Sequence, residues 1–397
     1  MFVGDDIVQS EQIAARPCVS IQRLTTYEPT AVRQALRAVL EPLGGMGAFV
    51  TTGARVVLKP NLLMPSAPDR AVCTHPEIVR AVARLAREMG ASAVEATDSP
   101  GVGTARRCAR RLGLDDDEPV TVRDADAGMD VAPPGAPFHR VSLIGHLLTA
   151  DLVINLPKAK THGQMVMTGA VKNSFGAVVG MEKAQWHFRA GKNPRDFARL
   201  LLHVHTLVAP RLSILDAVVG MEGNGPSAGD PRPLGVLMAS TDAHALDAVL
   251  ARIWGLDPRQ VFTLAVAREL DLLPPFEEIQ IAGAHPSDLR PRPAWRLARP
   301  APLRGFGGPA WLSAFLERLM TLRPEIDRGA CVACGECARV CAAHAIVLNP
   351  NAVPSHPPVV IDREQCIACF CCQEMCPEGA IRVSAGLAAR LFDLGTR

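Results

Sequence analysis

Cysteine is the residue type in this chain whose spacing most constrains its chemistry. Of twelve cysteines in 397 residues, nine fall between Cys331 and Cys376, and Cys18, Cys73 and Cys108 stand alone. The nine contain two copies of one pattern, Cys331-x2-Cys334-x2-Cys337-x3-Cys341 and Cys366-x2-Cys369-x2-Cys372-x3-Cys376 followed by Pro377. Three thiolates spaced two residues apart can wrap one face of a 4Fe-4S cubane, and the fourth of each run is directed to the other cluster. The expected ligand sets are therefore Cys331, Cys334, Cys337 and Cys376 for the first cluster, and Cys366, Cys369, Cys372 and Cys341 for the second. Zinc needs four ligands and would not require this duplicated eight-cysteine spacing. Cys371 is left over, and Ala342 stands where the second run has Pro377.

This is the two-cluster ferredoxin run, so the C-terminal part reads as a small α+β ferredoxin-like domain that passes single electrons. Thiols gathered for metal imply a reducing compartment, and the expected location is cytoplasmic. The 42 Lys plus Arg nearly cancel the 40 Asp plus Glu. No global field draws the chain to nucleic acid or an anionic membrane, so neither is an expected partner.

A second set of polar residues interrupts or ends apolar runs in the first 280 residues. It comprises Lys59-Pro60-Asn61, Thr74-His75-Pro76, Asp98, Asn155 to His162, Thr168 to Asn173, and Glu222-Gly223-Asn224-Gly225-Pro226. In an open α/β sheet the carboxyl ends of the strands border the ligand crevice. Lys59, Asp98, Lys158 and Asp216 are each expected at or just past such an end. An anionic small molecule would be held by Lys59, Lys160 and Lys172, with Asn61, His75, Asp98 and Asn173 lining the same site. His162 is the leading candidate proton donor, with Lys158, His187 and Glu222 as further catalytic candidates.

The elements that must position these residues alternate. Helical patterns at 30–43, 76–89, 104–112, 196–208, 243–254 and 258–270 intervene between apolar runs at 55–58, 93–97, 120–123, 152–156, 212–215 and 234–239. That order predicts an α/β fold, a mostly parallel sheet with flanking helices. Residues 1–283 would form this domain, 284–324 a linker with a docking helix at Trp311–Leu322, and 325–397 the cluster module. The turn Asp98 to Thr104 lacks the third glycine of a dinucleotide fingerprint and the lysine of a P-loop, and a single Tyr with 4% aromatics gives few rings to stack a flavin.

Across residues 20–270 the sequence resembles the domain of unknown function 362 family, whose members often carry a C-terminal ferredoxin module. The resemblance rests on Lys59-Pro60-Asn61, Thr74-His75-Pro76, Asn155-Leu156-Pro157-Lys158, Lys160-Thr161-His162, Lys172-Asn173, Phe175-Gly176, Lys183 with His187, Glu222-Gly223 and Gly225-Pro226, and Asp242 and Asp247 also fit. It implies the architecture and the site residues, and leaves the reaction open. The expected function is an iron-sulfur reductase of the ferredoxin type, fed by a low-potential electron donor or acceptor protein and acting on an anionic small molecule. The alternatives are an electron-carrier or adaptor subunit, or a non-redox enzyme with structural clusters and an additional metal among His75, His162 and His187.

Anaerobically prepared protein is expected to hold about eight iron and eight sulfide per chain. A Cys334→Ser, Cys369→Ser double variant should lose iron and Cys371→Ser should keep it, as read by iron and sulfide analysis. Full iron in the double variant would refute the ligand sets.

Overall fold

The computed structural model describes residues 16–114, 119–132, 140–180, 182–190, 193–298, 323–349 and 359–384. The expected docking helix at Trp311–Leu322 lies outside them. Strands and helices otherwise follow the hydrophobic pattern closely. The strands are β1 (Cys18–Arg23), β2 (Arg55–Pro60), β3 (Ala93–Asp98), β4 (Thr121–Asp124), β5 (Gly128–Val131), β6 (Val141–Ile144), β7 (Leu152–Leu156), β8 (Lys158–His162), β9 (Val166–Thr168), β10 (Leu212–Glu222), β11 (Asp230–Ser240) and β12 (Gln280–Gly283). The helices are α1 (Pro29–Leu40), α2 (Pro76–Glu88), α3 (Ala105–Leu112), α4 (Gly145–Leu148), α5 (Ala170–Asn173), α6 (Glu182–Arg189), α7 (Pro194–Val208), α8 (Ala243–Ile253) and α9 (Phe262–Glu269).

Ten strands form one sheet in the order β12-β1-β11-β10-β7-β2-β3-β4, with β8 paired to β10 and β9 paired to β8. The β10-β7, β7-β2, β2-β3 and β3-β4 pairs are parallel, whereas β11 runs antiparallel to both β1 and β10. Strand period decides which face each residue joins. Val56, Leu58, Leu152 and Ile154 enter the core beneath α1, α2 and α3, while Val57 and Val153 enter the opposite core with α7, α8 and α9. Each fully buried Leu, Ile or Val contributes roughly 1.5–3 kcal/mol, so both faces are strongly fixed.

Local sequence explains the helix starts. Pro29, Pro76 and Pro194 occupy first-turn positions where their missing N–H costs nothing, and Glu28, His75 and Asn193 each accept a hydrogen bond from a first-turn backbone N–H.

Three expectations change. Lys158 to His162 is a buried strand rather than a segment past a strand end, because β8 continues the sheet alongside β10 after Pro157. Asp216 lies within β10 rather than at its end, since that strand runs on to Glu222. Residues 284–298 do not read as a free linker. Trp295 is buried and stacked on Trp254 at 4.9 Å, and Arg296 bonds Glu222, so the α/β body extends past residue 283.

The cluster module repeats itself about a pseudo-twofold. Strand β13 (Arg323–Ile326) pairs with β16 (Ile381–Ser384), and β14 (Ile346–Leu348) pairs with β15 (Val359–Ile361). Cys331 N and Cys366 N donate to Asp327 O and Asp362 O, each at 3.0 Å. Ala333 and Ala368 share a left-handed backbone, with φ of 54° and 55°. Cys341 Sγ accepts from Ala345 N at 3.3 Å and Cys376 Sγ from Ala380 N at 3.2 Å.

His205, on α7, is partly buried, bonded through Nδ1 to Ser174 Oγ at 2.8 Å, and pushed down to about 3 by desolvation and by the neighbouring His244. A depressed histidine contributes stability that is complete above its unfolded value near 6.5 and is lost as pH falls below that value. Urea unfolding at pH 7.5 and 5.5 should show a loss summed over the depressed histidines, and His205→Asn should remove its own share of it, on the order of 1 kcal/mol. An unchanged pH difference in the variant would exclude His205 as its source.

Candidate functional site

The site begins with lysines taken out of water. Lys59, Lys158 and Lys160 are at most 1% exposed, a costly place for an ammonium unless each finds partners. Lys59 Nζ meets Asp98 Oδ1 at 3.0 Å, and Asp98 also accepts from Leu62 N at 2.7 Å and Ser99 N at 2.8 Å. Burial lowers the Lys59 value, and Asp98 opposes that shift. Gly176 passes so close that a Cβ there would run into Asp98 and Lys59.

Lys158 makes a separate centre. Its Nζ lies 2.8 Å from Asp216 Oδ2 and donates to Tyr27 Oη at 3.0 Å, while Tyr27 Oη donates to Asp216 Oδ1 at 2.8 Å. Tyr27 stacks on His75 at 3.5 Å, and His75 Nδ1 accepts from Glu77 N at 3.2 Å as the cap of α2. Lys158 and His75 are thus committed to this cluster. Glu222 is committed elsewhere, to Arg232 at 2.6 Å and Arg296 at 2.7 Å.

Lys160 starts a chain of side-chain amides. It donates to Asn61 Oδ1 at 2.9 Å and Val72 O at 2.6 Å, and burial pulls its value down to about 7. Asn61 Nδ2 donates to Asn173 Oδ1 at 2.8 Å, Asn173 Nδ2 to Asn155 Oδ1 at 2.8 Å, and Asn155 Nδ2 to Ala170 O at 3.0 Å. This relay fixes α5 to the ends of β2 and β7. At the start of α5, Asp247 accepts from Ala170 N at 2.6 Å and Val171 N at 3.1 Å. Lys172, carried on α5, has no hydrogen-bond or ion-pair partner among the described residues.

Lys172 opens into a cavity of about 100 Å³. Asn61, Asp98, Lys160, Thr168, Asn173, Phe175, Lys183 and His187 also line it. Lys183 donates to Ser99 O and Gly176 O and is lowered to about 7 by burial. His187 stacks on Phe197 at 4.0 Å and is lowered to about 3 by burial.

The remaining wall comes from the cluster module: Val340, Cys371, Glu374 and Met375. The module is held there by Gln373, whose Nε2 donates to Asn224 Oδ1 and Gly225 O, each at 3.1 Å, and whose carbonyl accepts from Ser227 Oγ at 3.3 Å. Glu374 Oε1 lies 2.7 Å from His162 Nε2, close but not aligned as a hydrogen bond. His162 Nδ1 accepts from Gln164 N and Met165 N, each at 3.1 Å, so the proton of the neutral ring sits on Nε2. Burial lowers His162 to about 4. Burial alone would raise Glu374, but His162 and Lys172 together hold it below the usual carboxylate range. His162 is thus placed as the neutral partner of a carboxylate, an arrangement that does not favour the expected donation from an imidazolium.

Of the expected site residues, Asn61, Asp98, Lys160, Lys172, Asn173 and His187 come together around the cavity. Lys59 and His162 stand directly behind it through Asp98 and Glu374, while Lys158, His75 and Glu222 lie in other networks. Glu374 and Gln373 were not expected at the site, and Thr168 and Lys183 were singled out in the sequence only as parts of longer strings. His75, stacked on Tyr27, does not join His162 and His187 at the cavity.

The cysteines fit cubanes. Cys331, Cys334, Cys337 and Cys376, the crossed set expected for the first cluster, ring one small cavity.

An α/β domain joined to an iron-sulfur module is the class these features define. The chain belongs to the family described as domain of unknown function (DUF362), matched over residues 56–252, and residues 330–380 match a 4Fe-4S dicluster domain. A relative, thylakoid-associated protein sll1697 of Synechocystis sp., is 43% identical over 278 residues, which cover 68% of this chain and 85% of that protein. The lactate racemase apoprotein from Thermoanaerobacterium thermosaccharolyticum aligns with 59% of this chain at 10% identity and a TM-score of 0.39. A protein from Thermotoga maritima aligns with 62% at 13% identity and a TM-score of 0.38. This chain spans 57% and 59% of the lengths of those two structures. Among the described residues no helix is long and apolar enough to cross a membrane.

Asn173→Ala would strand the buried Asn155 Oδ1 and Asn61 Nδ2 groups. It should cost about 2–4 kcal/mol in denaturant unfolding. A loss below about 0.5 kcal/mol would mean the amide relay does not hold the site together.

Proposed function

We propose that the protein is an iron-sulfur oxidoreductase that reduces an anionic small molecule bound in the Lys172 cavity, with electrons arriving through two 4Fe-4S clusters. One observation carries this reading. The helix Cys371–Glu374, which carries Cys372, an expected ligand of the second cluster, lines the same cavity as Lys172, which has no hydrogen-bond or ion-pair partner among the described residues. When bound, clusters of this kind exchange single electrons at potentials set by their surroundings.

The chain's own groups do the rest. Lys172 offers an ammonium that no hydrogen bond or close ion pair among the described residues engages, and its attraction for an incoming carboxylate or phosphate is shared with the Glu374 carboxylate. Lys160 and Lys183, with values near 7, add positive charge or release a proton at neutral pH. Leu62, Phe175 and Met375 supply apolar walls that exclude water and strengthen these interactions. Cys334, the exposed position of the first ligand set, is where a low-potential donor protein would deliver electrons. A reducing cytoplasmic compartment suits the free thiols.

The test uses cluster-loaded protein, photoreduced without added anions and then mixed with pools of carboxylates and phosphates. Wild type should be reoxidised by at least one acceptor, and Lys172→Ala should slow that reaction at least about tenfold. Iron content and cluster spectra should remain unchanged in the variant. Equal reoxidation by wild type and Lys172→Ala would overturn the assignment.

A further inference from the structure

Besides Lys172, two buried side chains lining the cavity carry polar atoms without a hydrogen-bond partner among the described residues, Thr168 Oγ1 and His187 Nδ1, and the Glu374 carboxylate, whose Oε1 faces His162 Nε2 at 2.7 Å, lines the same space. Thr168, His187 and Glu374 are 2%, 4% and 4% exposed, so bulk water does not satisfy them. Buried polar groups are normally paired, and several unpaired ones around one cavity mark what its occupant must supply.

Their chemistry is not uniform. Lys172 and the Thr168 hydroxyl can donate to an anion, whereas a Glu374 carboxylate can only accept. A plain anion would satisfy the first two and be repelled by the Glu374 carboxylate on the cavity wall. A plain cation would fail at Lys172. Resting on the anion reading above, we propose that the cavity takes a bifunctional ligand: a small organic anion, met by Lys172, that also presents a hydroxyl or amino hydrogen to Glu374.

Glu374 is well placed for this role. His162 backs it from the α/β side at 2.7 Å, and Gln373 pins the same helix to the Asn224–Gly225 loop, so the carboxylate is positioned before any ligand arrives. Glu374 is also two residues from Cys372 and two from Cys376. The donor-bearing carbon of the ligand, rather than its carboxylate, would therefore face the cluster module.

Equilibrium binding to the cluster-loaded protein tests this with matched acids: succinate against malate and aspartate, and butyrate against 2-hydroxybutyrate and 2-aminobutyrate. In wild type the hydroxy or amino acid of at least one set should bind at least about tenfold more tightly than its plain parent, and whichever substituent wins identifies the donor. In Glu374→Ala that preference should fall to within about threefold while the plain acid binds as well or better, with iron content and the reduced-cluster spectrum compared in parallel. The wild-type ratio decides the question even if the variant fails to load clusters. Plain acids binding as tightly as their substituted partners would overturn the bifunctional ligand and leave the anion reading standing. Binding by none of the acids, or affinities unchanged in Lys172→Ala, would overturn the anion reading and this proposal with it.

Discussion

The architecture turns on the need to match cations that the fold has withdrawn from water. Lys59 on β2 and Lys158 and Lys160 on β8 are buried, and an ammonium in that setting is tolerated only with close acceptors. Lys59 uses Asp98 and Lys158 uses Asp216, so these two are neutralised by ion pairs. Lys160 relies on an amide oxygen and a carbonyl. Because Asn61 must turn its oxygen to Lys160, its nitrogen is directed to Asn173, and the remaining amide orientations follow in sequence. The position of α5, and hence of Lys172, descends from that single requirement.

The same logic separates structural charges from available ones. Lys158, His75 and Glu222 have the residue types of an active site, but their charges and lone pairs are already spent on Asp216, on the start of α2, and on Arg232 and Arg296. Lys172 is held in place by its helix without being consumed by a partner. The cluster module adds the Glu374 carboxylate, and its Gln373 contacts determine where that group stands. The cavity is consequently a joint product of both parts of the chain.

Much of this was legible in the sequence. The cysteine spacing anticipated the crossed set Cys331, Cys334, Cys337 and Cys376 that encircles one cavity, because a ligand pattern is local and repeats. Strands such as Leu152–Leu156 were readable since a fully buried strand needs an uninterrupted apolar run. Strand β8 was not, because Lys-Ala-Lys-Thr-His looks polar until β10 and the ion pairs that bury it are known. Glu374 and Gln373 were hidden as spacers inside a cysteine run. Their importance comes from contacts with His162 and Asn224, which lie about 212 and 149 residues away in the chain and leave no local signal. Thr168 and Lys183 stood inside strings that the sequence does single out, Thr168 to Asn173 and Lys183 with His187, but without a role of their own.

The central claim is that one helix serves the second cluster and the anion cavity together. Anomalous diffraction at the iron edge, from anaerobically grown crystals of the cluster-loaded protein, locates the iron directly. The account predicts four iron positions against Cys372, immediately behind the wall formed by Cys371 and Glu374, with Lys172 facing that wall across the cavity. Iron found only at the Cys331 side, or a module seated away from Lys172, would contradict it.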